Sequence, residues 1–284
     1  TIERDHETHP KDRFVVEHTD LSNRHRAAAN TEAAELLTGC LTHLVKVRRL
    51  REVRVLRGFH RYTMVNMVPA DVDRSMDWLP AIEVYGEGIF LALDEQSVST
   101  WETRSNVRDR IQDLEHRREA SVFSKFLPVL TPRFVMLHTL AHLLIRQLIY
   151  ESGYSSSSIR ERLYVAESSS PQPMAGLMVY TGAGDSEGTL GGLVRSGDPD
   201  WFLPTLITAL LRADWCSLDP VCAESSSQGS DGLSLAACHA CALVAETSCD
   251  YGNLSLDRKI LIDPQLGYLH PVLVAAEQAR LGIL

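Results

Sequence analysis

Long apolar runs are missing from this sequence, and so is any excess of positive charge. The most apolar stretch, residues 134–150, is 17 residues long and carries His138, His142, Arg146 and Gln147. A bilayer span needs about 20 apolar residues, so this stretch reads as a core helix and no membrane role is expected. Lys and Arg number 28 against 37 Asp and Glu, a formal charge of −9. That balance argues against DNA being held on a diffuse basic surface, and any nucleic-acid contact has to use a local stripe or a partner's surface. No basic start, apolar run and small-residue cleavage site come together near the N-terminus, so no secretion signal is visible and a reducing cytosol is the expected compartment. The sequence opens at Thr1, with charge and histidine crowding its first 26 residues, and reads as a fragment or a processed chain. What remains is ordinary for a globular protein: 284 residues, 44 % hydrophobic and 23 % charged, enough for one large domain or two small ones at roughly 150 residues each.

Along the chain, Ala33, Leu36, Leu37, Cys40, Leu41, Leu44 and Val45 fall at helical spacing, which predicts a helix over 31–47. Val53 and Val55 suggest a short strand. Residues 81–84 and 89–93, separated by Tyr85-Gly86-Glu87-Gly88, read as a hairpin. A charged surface helix is expected over 102–119. Thr131-Pro132 opens a helix that runs to about 151 and ends at Gly153. Ser157 and Ser158 are read as capping a further helix through Leu163. A buried strand is expected at 177–181, a glycine-rich loop at 182–192, and a helix from Asp198-Pro199 with Phe202, Leu206, Ala209, Leu210 and Ala213 facing inward. The sum is a mixed α/β (α+β) fold, with helices packed on a small sheet and a cysteine-rich zinc-binding module at 214–250.

Five of the six cysteines carry that module. Cys216 and Cys222 form a C-x5-C pair, fifteen residues lead to the C-x2-C pair Cys238 and Cys241, and seven more lead to Cys249. A C-x2-C turn puts two thiolates on one side, and zinc takes four soft donors in a tetrahedron. A closed structural zinc site drawn from four of these five cysteines is expected. Packing of free thiols as small hydrophobes is the plainer alternative. An all-cysteine site has no open position for water, so it holds a fold together and hydrolyses nothing.

His138 and His142 lie four apart on the 132–151 helix, the spacing of a zinc-protease helix. Such an enzyme needs glutamate directly after the first histidine, and Thr139 stands there. They read as satisfied core or interface histidines; a metal-dependent hydrolase using this helix with a carboxylate such as Glu151 is the alternative. The 182–192 loop lacks a Gly-Lys-Ser/Thr ending and carries Asp185 and Glu187, so it is read as architecture or interface and no nucleotide site is expected. Lys46, Arg48, Arg49, Arg51, Arg54, Arg57 and Arg61 place seven cations within sixteen residues against one acid, Glu52. This stripe is the candidate phosphate contact. Salt bridges on a solvated face are the competing reading, and only Phe59 and Tyr62 are available to stack on bases.

Several strings together resemble a known family. They are Leu50-Arg51-Glu52-Val53-Arg54, Leu137-His138-Thr139-Leu140-Ala141-His142, Glu151-Ser152-Gly153-Tyr154-Ser155 with Ile159-Arg160-Glu161-Arg162, Asp185 through Gly192, and Ala237-Cys238-His239-Ala240-Cys241 running to Cys249, Asn253 and Leu256-Asp257-Arg258. Across residues 47–263 they resemble the C-terminal, helicase-associated part of DrmB proteins of the DISARM anti-phage system, related to the zinc domain that ends MrfA-type repair helicases. The likeness implies a domain over 47–263, a lead-in at 1–46 as the tail of an upstream region, and an extension at 264–284. It implies Cys238, Cys241 and Cys249 as ligands, with the fourth drawn from Cys216 or Cys222. It further implies a non-enzymatic accessory subunit in the bacterial cytoplasm that docks on a DrmA-like SNF2/superfamily-2 helicase, contributes to assembly, and meets DNA through that complex.

Overall fold

In the computed structural model, residues 13–21, 31–60, 67–182 and 191–282 are described. Strand β1 (Phe14–His18) is followed by helix α1 (Thr31–Gly39), the long strand β2 (Leu41–Val55), the short strands β3 (Gly58–His60) and β4 (Met67–Pro69), and a second long strand, β5 (Ala81–Leu93). Helices α2 (Glu95–Glu102), α3 (Ser105–Ala120) and α4 (Pro132–Ser152) come next, then strands β6 (Ile159–Ala166) and β7 (Met174–Thr181). The chain closes with α5 (Gly192–Ser196), α6 (Pro199–Ala213), α7 (Val221–Glu224), α8 (Lys259–Ile262) and α9 (His270–Arg280). The main sheet is antiparallel throughout, in the order β1-β2-β5-β7-β6, and β3 and β4 pair separately. The fold is therefore mixed α/β, as the sequence indicates.

Helix α4 is the spine of the molecule. Thr131 caps it by accepting the Phe134 N–H at 3.3 Å, Pro132 sits at its first position, and Gly153 ends it in the left-handed conformation at φ +70°. Glycine alone takes that conformation without a Cβ clash. The helix is buried along most of its length and packs on β6, β7 and α6. One core joins Leu37 of α1, Leu91 of β5, Leu140 and Leu144 of α4, Phe202 of α6 and Leu273 of α9.

Three local expectations fail, each for a visible reason. The expected 31–47 helix stops at Gly39, and residues from Leu41 onward belong to β2. Register shifts at Leu41/His43 and Val47/Leu50 interrupt the period-two alternation of β2, leaving apolar spacings that imitate a helix. The expected hairpin at 81–93 is one uninterrupted strand. Its glycines make no turn: a Cβ on Gly86 would lie 1.6 Å from the Thr181 carbonyl oxygen, and one on Gly88 2.7 Å from that of Val179. They permit close backbone approach between β5 and β7. The expected helix after Ser158 is β6, whose alternation turns Ile159 and Glu161 inward while Arg162 stays exposed.

Candidate metal centres

The cysteine module is assembled by a few buried polar residues outside it. Arg258, 2 % exposed, donates to the carbonyls of Ala213 at 2.7 Å and Asp214 at 3.1 Å and pairs with Asp219. Asp219 in turn accepts the N–H of Cys216 at 2.8 Å and of Ala223 at 3.0 Å. Those contacts fix the turn that presents Cys216 and the short α7 that carries Cys222. Asp257, fully buried, takes a bidentate pair from Arg110 at 2.6 and 3.1 Å and the Ala236 N–H at 3.3 Å. On the opposite side Arg146 of α4 donates to the carbonyls of His239, Ala240 and Leu243 at 3.2, 2.7 and 2.7 Å. The Leu-Asp-Arg string and one helical arginine thus hold the tight turn at Cys238–Cys241, where the N–H groups of Cys241, Ala242 and Leu243 all point at the Cys238 carbonyl.

Within this frame Cys216, Cys222, Cys238 and Cys241 converge, all buried, with their sulfurs within 4.8 Å of one another. Measured separations are 3.6 Å for Cys216–Cys238, 3.7 Å for Cys222–Cys241 and 3.7 Å for Cys238–Cys241. Disulfide sulfurs sit at about 2.05 Å, so these are thiols; a tetrahedron with Zn–S bonds of about 2.3 Å has edges of about 3.8 Å. The donors therefore fit zinc without rearrangement. Backbone N–H groups supply the stabilisation thiolates require: Leu218 donates to the Cys216 sulfur at 3.4 Å and Cys238 to the Cys241 sulfur at 3.3 Å. Burial pushes the Cys222 and Cys241 thiols up, while at Cys238 the N–H groups of Ala240 and Cys241 overcome the effect of burial and bring it down. In the metal-free protein the raised thiols carry protons at neutral pH, so zinc uptake must release them. Chelator competition will therefore show weaker zinc binding as pH falls from about 8 to about 6, with no loss on raising the pH over that range.

Cys249, the fifth candidate, lies apart from the tetrad. It meets His138 and His142 of α4 and Glu161 of β6 in a second buried group whose donor atoms also lie within 4.8 Å of one another. His138 Nε2 is 3.2 Å from the Cys249 sulfur and 3.2 Å from Glu161 Oε1, and His142 Nε2 is 3.6 Å from Glu161 Oε2. Burial holds His138 below the usual imidazole range. Glu151, the carboxylate expected to serve this helix, is elsewhere: it accepts from Gln147 at 2.5 Å and Thr205 at 2.6 Å. Thr139 is occupied structurally, taking the Asp257 N–H at 3.0 Å. Sequence reasoning missed Glu161 because it gave 158–163 to a helix; the strand alternation of β6 was the available signal.

The basic stripe lies along β2 and just beyond it, and most of its cations meet partners in this chain. Lys46 is buried between Glu17 and Asp198, both at 2.6 Å. Arg48 pairs with Glu17, Arg51 with Glu83, and Arg54 with Glu52 at 3.0 Å, while Arg49 lies 4.4 Å from the centre of the Tyr85 ring. Arg57 is exposed. Arg61 and Tyr62, together with residues 183–190 of the glycine-rich loop, lie outside the described residues.

Comparison with known proteins places this geometry. Residues 140–242 match the family described as the MrfA Zn-binding domain, a span that includes all four cysteines of the tetrad and leaves out Cys249. The chain is 42 % identical over 231 residues to the DISARM protein DrmB of Bacillus paralicheniformis, an alignment covering 77 % of this chain and 40 % of that protein. This chain thus spans well under half the length of the relative it matches. With the sulfur tetrad, the matching zinc-binding domain and that level of identity taken together, the chain is a homologue of the DISARM protein DrmB whose buried four-cysteine cluster is a site for structural zinc.

Proposed function

We propose that this chain is a non-enzymatic accessory module of a DISARM complex, docking on a DrmA-like helicase of the SNF2/superfamily-2 type and contributing to assembly and DNA binding through that partner. The observation that carries the reading is the closed sulfur tetrad inside a DrmB-like chain. Its four positions are taken by protein, so its chemistry is to hold segments together. The hydrolase alternative loses its carboxylate, since Glu151 is bonded to Gln147 and Thr205, and His138, His142 and Glu161 are fully buried.

The DNA role is assigned to the cations on and just beyond β2 that face water, Arg48, Arg49 and Arg57, together with Arg61, supported by their concentration in an otherwise acidic chain. Lys46, Arg51 and Arg54 serve by positioning that face through their carboxylate partners. Assembly is assigned to the far end of the β2–β5 pair, where Val53, Val55 and Ile82 are about half exposed. The test is co-expression with the helicase. The two should co-purify, ATP hydrolysis should require the helicase alone, and DNA affinity of the complex should fall steeply with salt. Exchanging Arg48, Arg49 and Arg57 for Glu should weaken DNA binding by the complex about tenfold or more at physiological salt while assembly persists. Failure to co-purify overturns the accessory reading; unchanged DNA affinity overturns the assignment of the stripe.

A further inference from the structure

We infer that His138, His142, Glu161 and Cys249 form a second structural metal site, closed like the first, that takes zinc through two nitrogens, one carboxylate and one thiolate. It is separate from the sulfur tetrad and independent of the accessory-subunit reading.

His142 Nδ1 lies 2.9 Å from the Ala242 carbonyl oxygen. A carbonyl only accepts, so Nδ1 carries the proton, and in the neutral ring Nε2 presents a lone pair. That lone pair points toward Glu161, whose oxygens are acceptors as well. His142 Nε2 and both Glu161 oxygens are buried with no hydrogen-bond partner. Three acceptors facing one another in a dry interior repel unless a cation sits among them. The ring contacts are apolar or neutral: Phe134 and Tyr251 pack against the His138 ring at 5.6 and 5.3 Å between centres, and His142 lies edge-on to it at 4.6 Å.

The fourth donor is prepared in the same manner as the sulfurs of the tetrad. The Cys249 sulfur accepts the N–H of Tyr251 at 3.3 Å and of Asn253 at 3.3 Å. Asn253 is itself locked by a two-way amide pairing with Val244, at 2.9 and 3.1 Å. Burial and the Glu161 carboxylate push the Cys249 thiol up, and the two backbone N–H groups aimed at its sulfur act the other way, toward the thiolate that binds metal. Distances agree. In a zinc tetrahedron with bonds of about 2.0 Å to nitrogen or oxygen and about 2.3 Å to sulfur, donor atoms lie about 3.3–3.6 Å apart. The recorded separations are 3.2, 3.2 and 3.6 Å. The Ala242 carbonyl also fixes the His142 tautomer, as metal-bound histidines require. Two imidazoles, a carboxylate and a thiolate in a compact four-donor set suit zinc better than magnesium or calcium, which prefer all-oxygen shells. The site would tie α4, β6 and the segment after the Cys238–Cys241 turn to one point.

The test is metal analysis with zinc K-edge absorption on the whole chain purified from zinc-supplemented medium. Two zinc ions per chain are expected, with five sulfur and three nitrogen or oxygen ligands over the two sites. Cys249→Ser and Glu161→Gln should each drop the content from two to one and leave a sulfur-only spectrum, whereas Cys238→Ser, which unfolds the 214–250 region that carries Cys249, should lose both ions. One zinc per chain with sulfur ligands alone in the unaltered protein overturns the inference and makes the group a hydrogen-bonded histidine–carboxylate cluster. Two zincs that survive both Cys249→Ser and Glu161→Gln overturn it as well. If those variants fail to fold, the ligand count of the unaltered protein decides by itself.

Discussion

Cys238→Ser is expected to release the tetrad's zinc and unfold the 214–250 region, with the melting temperature of the chain falling by ten degrees or more on the scale of about 2–4 °C per kcal/mol for a protein this size. Structural zinc contributes apparent binding free energies of about 10–16 kcal/mol in small zinc domains, and here that energy holds segments with little apolar core of their own. The cluster around the tetrad consists of the four cysteines with Ala237, Ala242 and Leu256, and only partly buried Ala240 and Leu243 pack on it. Replacing a thiolate by a hydroxyl leaves the remaining three sulfurs without their shared cation. Calorimetry with zinc analysis checks this. A soluble, equally heat-stable Cys238→Ser protein would sink the structural-zinc reading.

Asp257→Ala is the second large effect, expected to destabilise the chain by about 3 kcal/mol or more because it strands a buried guanidinium. Asp257 is fully buried and is the bidentate partner of Arg110, whose side chain is only 23 % exposed. The same carboxylate accepts the N–H groups of Ala236 and, at 3.2 Å, Lys259, so its loss leaves several donors unmet at once. Asp257→Asn keeps the shape and one acceptor and should cost less than the alanine variant. Urea denaturation of the set, with Arg110→Ala as the partner deletion, checks the ordering. A cost below about 1 kcal/mol would mean that the pair behaves like an exposed ion pair.

Helix α4 was legible because its signals are local: a Thr cap, a proline at the first position, a closing glycine. The sulfur tetrad was partly legible, since C-x2-C reports one tight turn, but choosing among five cysteines depended on contacts made far away by Arg258 and Asp219. Likeness to the repair helicases pointed to Cys249 as a ligand of the first centre, yet its sulfur faces α4 and β6. Glycines 86 and 88 illustrate the other limit. A glycine pair reads as a turn in one dimension and becomes a close strand crossing only when β7 arrives from ninety residues later in sequence. Glu161 was invisible for the same reason: a strand mistaken for a helix sends its side chains to the wrong faces.

The far half of the β2–β5 pair has a consequence for how the protein behaves in a crowded solution. Among the described residues, Val53–Val55 and Ala81–Glu83 pair as strands only with each other, and neither outer edge has a described strand beside it. Half-exposed Val53, Val55 and Ile82 sit on the same ribbon, and such edges invite a second molecule to add a strand. Arg51, Glu52, Arg54 and Glu83 stand beside those valines as charged residues joined in ion pairs. An incoming strand would have to strip water from those ions before it could zip up. The same cations that look like a phosphate contact in one dimension therefore oppose strand addition by a second copy of the chain.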